Sequence, residues 1–301
     1  MNRKSFLKNL GLLTAGSVAA PSFIKLLTAE GPFFKIRDDL GYFSGRGGTI
    51  GWFVTEDAIV VVDAQFPNTA EEFVRGIADY GSGPSRVLFN THHHGDHTAG
   101  NPVFAENSYQ IIAHENVPVL QRRAAEAQGD AGAFTAADIT FKDDYPLEIG
   151  NERIVARNYG NAHTGGDSVI WFENRNAAHM GELVFNRWYP FIDRPGGASI
   201  LGWIDLLETV ASEAYSDTIF IFGHANADFG VTGDAGDLLY MRDFLSKLLE
   251  HTQAGIDAGQ SREEITNVNR FEEFPDHQSA GARLSLPANL NVAYDELTSE
   301  Q

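Results

Sequence analysis

Four histidines and one aspartate fall within seven residues, Thr91-His92-His93-His94-Gly95-Asp96-His97. Imidazole nitrogens and carboxylate oxygens at that density are metal-ligand chemistry, since each offers a lone pair to a divalent cation. In an extended segment His92 and His94 project to one side and His93 to the other. Asp96 and His97 follow Gly95, where the backbone can turn and aim them at a neighbouring point. One short loop can therefore serve two metal ions. A solvated histidine tract would not follow directly on an apolar strand pattern with an aspartate inside it.

The chain has no cysteine. Disulfides, thiolate ligands and a cysteine nucleophile are excluded, and the metal ligands must be His, Asp and Glu. His163 lies in a Gly-rich turn, Gly160-Asn161-Ala162-His163-Thr164-Gly165-Gly166-Asp167-Ser168, and His224 lies in Phe222-Gly223-His224-Ala225 after an apolar strand. Both are strand-end loops, where functional side chains are commonly mounted. Asp63 ends a buried strand pattern, placed either to orient a metal-bound histidine or to cap a turn. His179, three residues before Glu182, reads as a neighbour of the site or as core. His93 and His114 read as packing or hydrogen-bonding residues, Asp167 as a turn residue, and His251 and His277 as surface residues.

The order HxHxDH, then His-Thr-Gly-Gly-Asp-Ser, then Met180-Gly181-Glu182 ending a strand, then Gly223-His224, resembles the metallo-β-lactamase fold superfamily. The resemblance covers roughly residues 33–260. It implies an α+β fold, a four-layer αβ/βα sandwich with a dinuclear site at one edge. His92, His94 and His163 would hold the first metal, and Asp96, His97 and His224 the second. Where family members carry a bridging aspartate, this chain has Glu182, whose extra methylene moves the oxygens by about one C–C bond. A second resemblance, to a bacterial branch of cyclase- or hydrolase-like members, rests on Ala113-His114-Glu115-Asn116, on the stretch from Asn186 to Asp193, on Gly196-Gly197-Ala198-Ser199 and on Gly202-Trp203-Ile204.

These ligands suit two divalent ions, zinc first, with iron or manganese also compatible. Two such ions can share a hydroxide already deprotonated near neutral pH, with Asp96 as the catalytic carboxylate and no serine nucleophile required. The expected activity is hydrolysis of a small organic substrate at an amide or lactam, ester or lactone, or related bond, β-lactams among them. Phe66, Trp188 and Tyr189 are candidates for the substrate-binding wall. Arg187 and Arg194 are the cations nearest in sequence for holding a substrate carboxylate, although surface solvation explains each as well. The alternatives are an iron-dependent oxidoreductase or dioxygenase-like member, and a non-catalytic metal-binding protein.

Elements must carry these residues to one place. Strands are expected at Phe34–Arg37, Thr49–Thr55 and Ala58–Asp63, where Ile59-Val60-Val61-Val62 is the continuous β-branched run of a buried strand. A helix over 68–80, capped by Asn68 with Glu71 at N3, precedes a short strand, Arg86–Asn90, that delivers the histidine run. Helices over 98–106 and 115–128 flank a strand at Tyr109–Ala113, and 129–137 reads as a loop. The second half repeats the plan, with strands at 154–157, 168–172, 177–180 and 218–222 and helices at 200–212 and 235–258. One domain of two packed sheets with helices outside, residues 30–301, is the simplest architecture. Residues 260–301 form its C-terminal helical extension, in which 271–278 is irregular and 286–297 helical.

With 43% hydrophobic and 21% charged residues the composition is that of a folded soluble protein. The net charge of -19 argues against nucleic acid and anionic membrane as partners. A small-molecule substrate is the expected partner, and no signal of oligomeric state is present. Residues 1–29 read as an export leader resembling a twin-arginine signal, with Lys4 after Arg3 in place of the second arginine and then Phe6-Leu7-Lys8. Cleavage near Ala20 or Ala29 would give a periplasmic or extracytoplasmic protein. Pro21, Ser22 and Lys25 interrupt the apolar run, so no stable membrane span is expected.

Overall fold

The computed structural model describes residues 32–299 apart from 38, 130, 131 and 133. The leader expected over 1–29 lies outside the described residues.

Two sheets stack face to face. The first has the order β1-β2-β3-β4-β5-β6-β7, built from β1 (Phe33–Lys35), β2 (Leu40–Phe43), β3 (Ile50–Val54), β4 (Ala58–Val62), β5 (Ser85–Asn90), β6 (Gln110–His114) and β7 (Ile139–Phe141). Its first four strands pair antiparallel and β4 to β7 pair parallel. The second has the order β15-β13-β11-β10-β9-β8, from β8 (Asp144–Ile149), β9 (Glu152–Arg157), β10 (Val169–Phe172), β11 (Ala177–His179), β13 (Ile219–Ile221) and β15 (Thr232–Gly233). Two short strands, β12 (Phe185–Asn186) and β14 (His224–Ala225), pair beside the site.

The β4 run shows why both faces are apolar. Val60 and Val62 pack with Phe53, Ile154 and Phe172 between the sheets, while Ile59 and Val61 pack outward with Trp52, Phe73 and Phe104. That outer core lies under α1 (Pro67–Gly76) and α3 (Asn101–Glu106). On the far side Trp203, Phe220, Leu245 and Leu290 join the second sheet to α5 (Ile200–Glu213), α6 (Ala235–Asp257) and α8 (Leu286–Thr298). Helix, sheet, sheet and helix make four layers, the αβ/βα sandwich. The remaining helices are α2 (Gly95–Thr98), α4 (Asn116–Ala127) and α7 (Arg262–Thr266). No described helix is long and apolar enough to cross a membrane.

Several boundaries differ from expectation. The first helix starts at Pro67 with Phe66 as N-cap, so Asn68 is not the cap. Proline at the first helical position has its φ already set. The helix expected over 98–106 starts only at Asn101, as α3, with a separate short helix α2 before it, and between them the Gly100 N–H donates to the Gln65 carbonyl at 2.8 Å. Strands β2, β7 and β8 were not expected. Pro146 disguises β8, but β8 is an edge strand, where a missing N–H is tolerated.

Candidate metal centre

Strand β5 ends at Asn90, and His94 is the extended N-cap of α2 (φ -64°, ψ 149°). The bend between them throws His92 and His94 to one side. Their partners come from loops after three strands of the second sheet. His163 follows β9, Glu182 lies in the 3-10 turn after β11, and His224 follows β13. Gly181 makes that turn with φ 52°, a left-handed conformation that favours glycine. His179 braces it, its Nδ1 accepting the Gly181 N–H at 3.1 Å and its Nε2–H donating to the Thr49 carbonyl at 3.1 Å. Gly223 N–H in turn donates to the Gly181 carbonyl at 2.7 Å, which ties His224 to Glu182.

Three groups of donors result among the described residues, two that share Glu182 and a third of His93, His94 and Asp193. In the first, His92 Nε2 and His94 Nδ1 each lie 3.0 Å from Glu182 Oε2, and His163 Nε2 lies 2.7 Å from it. His94 Nδ1 is also 3.0 Å from His92 Nε2 and 3.1 Å from His163 Nε2. Four donor atoms thus bound a small hole. Ligands about 2.0–2.1 Å from a tetrahedral zinc ion stand roughly 3.3 Å apart, close to these edges. In the second group, His224 Nε2 is 2.9 Å from Asp96 Oδ2 and 3.0 Å from Glu182 Oε1. His97 Nε2 is buried without a hydrogen-bond partner among the described residues, 3.7 Å from Asp96 Oδ2 and 3.9 Å from Glu182 Oε1. A ring nitrogen facing two carboxylates there is a place that a cation would complete. Gly48 packs directly on that ring, where any Cβ would collide with it.

The far nitrogen of each of four imidazoles is fixed, which orients the near one. His97 Nδ1–H donates to Asp63 Oδ2 at 2.7 Å. His163 Nδ1–H donates to the Phe191 carbonyl at 2.8 Å. His94 Nε2–H donates to Asp193 Oδ2 at 3.1 Å. His92 Nδ1 meets Thr91 Oγ1 at 3.0 Å, and Thr91 itself donates twice to Asp63, at 2.8 Å each. Asp63 is fully buried at φ 66°. His93 turns away from the donors, its Nε2 3.4 Å from Asp193 Oδ2.

Electrostatics follow from this crowding. Burial lowers the His94 and His224 pKa, but carboxylates outweigh it and raise each to about 10. The carboxylates are Asp193 and Glu182 for His94, and Asp96 and Glu182 for His224. Burial, and then the charge of His97, holds His92 well below its ordinary value. Burial raises Glu182, yet the imidazoles of His163, His224 and His92 hold it far below the usual carboxylate range. Asp96 is lowered by His97 and His224 against the same burial penalty. Proton sites and metal sites coincide, so a metal ion and protons compete for the same lone pairs.

A cavity of about 390 Å³ opens over these groups, floored by His94, Asp96, Glu182 and His224 and walled by Phe185, Trp188, Phe191, Arg283 and Leu284. Phe185 and Trp188 stack on the His224 ring, with centroids 5.7 and 6.1 Å away. Trp188 therefore stands where the substrate wall was expected. Tyr189 does not, for its ring packs into the core against Phe244 and His277. Phe66 is outside the cavity lining as well, lying under the Arg46 guanidinium at 4.8 Å.

Arg187 is neither solvated nor in the cavity. It pairs with Asp237 at 3.0 Å and lies over Tyr240 at 3.8 Å. Arg194 pairs with Glu296 at 3.3 Å. His277, expected at the surface, is buried, stacked on Phe244 at 4.2 Å, and His251 is half-buried on the Ile265 carbonyl at 2.9 Å. Asp167 accepts from the Thr164 N–H and hydroxyl, closing the His163 turn. Sequence reasoning gave no role to Asp193, Phe185 or Arg283. The only hint of the first was its place in the aromatic stretch after Glu182.

A family model described as the metallo-beta-lactamase superfamily matches residues 44–224, a span that contains every donor named above. The hydroxyacylglutathione hydrolase of Methylococcus capsulatus is 25% identical over 202 residues, 66% of this chain and 73% of that protein. Among solved structures, the stereoselective inverting sec-alkylsulfatase from Pseudomonas sp. superposes with a TM-score of 0.65 at 14% identity, covering 89% of this chain. The match spans only 50% of the alkylsulfatase. A metallo-beta-lactamase from Pontibacter korlensis superposes with a TM-score of 0.55 at 18% identity, over 71% of this chain and 98% of that one.

Proposed function

The chain belongs to the metallo-beta-lactamase superfamily, and on that premise we propose that it is a hydrolase with a dinuclear metal centre. His92, His94 and His163 would hold one divalent ion, Asp96, His97 and His224 the other, and Glu182 is the carboxylate between them. The observation that carries this reading is Glu182 itself. Its Oε2 lies among three imidazole nitrogens, and its Oε1 lies 3.0 Å from His224 Nε2. Two divalent ions held by these groups would repel one another, and a carboxylate lying against both groups would offset the repulsion. The donor set, with no sulfur, suits zinc and is compatible with iron or manganese.

Bound ions of this kind supply Lewis acidity and make water nucleophilic near neutral pH. The chain's own residues do the rest. Asp96 is the most solvent-open of the donor carboxylates, with 28% of its side chain exposed against 6% for Glu182, and it faces the cavity. It is placed to accept a proton from a water molecule there and to hold that water towards the substrate. Phe185, Trp188 and Phe191 exclude bulk water and offer flat surface to an apolar substrate body. A cavity of about 390 Å³ suits a small organic molecule bearing an amide or lactam, ester or lactone, thioester or phosphoester bond.

The test is elemental analysis of gently purified protein, followed by a panel of lactam, lactone, thioester and phosphodiester substrates with zinc, manganese and iron. The expected result is about two metals per chain, one for each of the two groups that share Glu182, and hydrolysis that His92→Ala and His94→Ala abolish. Protein that binds no transition metal would sink the dinuclear reading. Iron with redox turnover and no hydrolysis would sink the hydrolase.

A further inference from the structure

The segment from Pro190 to Ser199 orients two of the three imidazoles in the first donor group. Its Phe191 carbonyl accepts from His163 Nδ1–H at 2.8 Å, and its Asp193 carboxylate accepts from His94 Nε2–H at 3.1 Å. The segment is neither helix nor strand, so no ladder of its own fixes it. It is held by the C-terminal helix α8, which lies far beyond His224, the last donor in the chain.

The C-terminal segment first runs along the aromatic wall. Gln278 N–H donates to the Arg187 carbonyl at 3.0 Å and Tyr189 N–H to the Gln278 carbonyl at 3.1 Å. A turn follows, closed by Leu284 N–H to the Gly281 carbonyl at 3.1 Å, and Ser285 then caps α8. Two buried polar side chains of α8 reach the two ends of the loop. Asn289, 1% exposed, donates from Nδ2–H to the Pro190 carbonyl at 2.7 Å. Glu296, 2% exposed, accepts from Ile200 N–H at 2.9 Å, Leu201 N–H at 3.2 Å, Arg194 Nη1–H at 3.3 Å and Ser199 Oγ–H at 3.4 Å. Arg194 Nη1–H also donates to the Ala198 carbonyl at 2.8 Å, which closes the loop on itself.

A buried carboxylate is costly unless it is paired and hydrogen-bonded. Glu296 is spent on a guanidinium and on the first N–H groups of α5, which have no partner inside their own helix. Packing alone does not require it, since Leu286, Leu290 and Ala293 already bury α8 against the core. We infer that α8 clamps the ion-holding loop, with Glu296 and Asn289 as positioning residues for the His92–His94–His163 group. Glu296 acts through Asp193 on His94, and Asn289 acts through the Phe191 carbonyl on His163. That an ion sits between these imidazoles rests on the dinuclear reading; their orientation by α8 does not.

The experiment follows the imidazole N–H signals of full-length protein carrying isotope-labelled histidine, after treatment with chelator. Zinc binding by the same protein is then measured in competition with a chromogenic chelator. Glu296→Gln keeps the side-chain size and removes the charge. It should shift the His94 signal or speed its exchange with solvent, and leave the signal of His97 on Asp63 in place. It should also weaken one of two zinc steps by about three- to tenfold, less than the roughly 10- to 100-fold of a direct partner. Asn289→Ala should move the His163 signal in the same way. In an Asp193→Asn background Glu296→Gln should weaken zinc no further, because the two act in series. Leu290→Ala is the control for packing, expected to lower thermal stability and leave the signals and zinc steps alone. An unchanged His94 signal in Glu296→Gln or an unchanged His163 signal in Asn289→Ala overturns the inference. So do equal changes in Leu290→Ala, or additive losses in the double variant. Should Glu296→Gln not fold, His163 in Asn289→Ala decides. Wild type that takes no zinc strikes the dinuclear reading, while the histidine signals still decide the role of α8.

Discussion

Replacing Asp193 with Asn should weaken metal binding in the His92–His94–His163 group while leaving the other group nearly unchanged. Asp193 Oδ2 accepts from His94 Nε2–H at 3.1 Å, and Oδ1 accepts from the Gly196 N–H at 3.1 Å. Asparagine keeps the shape and one acceptor but loses the charge. The His94 imidazole then becomes less basic at Nδ1, the atom 3.0 Å from Glu182 Oε2. Removing a partner of this kind costs roughly 10- to 100-fold in metal affinity, or about 1.4–2.7 kcal/mol. Asp63→Asn is the counterpart, because Asp63 Oδ2 accepts from His97 Nδ1–H at 2.7 Å on the other group and reaches His92 only through Thr91, so its larger effect should fall on the other group. Asparagine also tolerates the Asp63 φ of 66°. The assay is competition against a chromogenic chelator, which resolves the two ions as successive steps. Each variant should shift a different step, with the circular dichroism unchanged. Unaltered affinity in Asp193→Asn, or both variants shifting the same step, would refute the reasoning that each group is oriented by its own carboxylate.

Two further outcomes are expected. Glu182→Gln keeps the size but removes the charge that lies against both groups, so elemental analysis should find nearer one metal per chain than two. Two metals with unchanged turnover would count against Glu182 as the shared carboxylate. His277→Phe should raise stability. Both ring nitrogens are buried without partners among the described residues, a cost of order 1–3 kcal/mol, and a phenyl ring can keep the stack on Tyr240 and Phe244. Burial, and then the charge of Arg187, push the His277 pKa down to about 3. With the folded pKa below the ordinary value, the protonation-linked part of the cost is nil above about pH 6.5 and grows as pH falls from there towards 3. Chemical denaturation should therefore show the gain of His277→Phe widening between pH 7 and pH 5. A gain that is flat with pH would mean that the fold does not lower the His277 pKa.

Much of the site can be read along the chain because its donors are chemically conspicuous. His92, His94, Asp96 and His97 announce themselves by density, and His163 and His224 by their glycine-flanked strand ends. The β4 run is legible for a similar reason, since a strand covered on both faces cannot afford polar alternation. Asp193 is different. It reaches His94 only because its loop folds back on the His163 turn, through Asp193 N–H to the His163 carbonyl at 3.3 Å and Gly165 N–H to the Gly196 carbonyl at 2.8 Å. No spacing in the sequence encodes that meeting. His277 was misjudged for an equally non-local reason. Tyr240 and Phe244 are one helical turn apart on α6, and their rings form a slot that admits a third. Trp188 and Tyr189 show how fine the margin is. They are adjacent, and the backbone sends one to the cavity and the other to the core.

The stitching of Gln278 to the loop of Arg187 and Tyr189 makes this molecule divisible for change over generations. All the donor residues lie between positions 92 and 224, on strand ends locked by the two sheets. The arginine and leucine that finish the cavity wall are at 283 and 284, on a turn that supplies no donor. Alterations in that turn can therefore be sampled without disturbing the ion-holding apparatus. Change there would reshape the cavity wall while leaving the donor cluster in place.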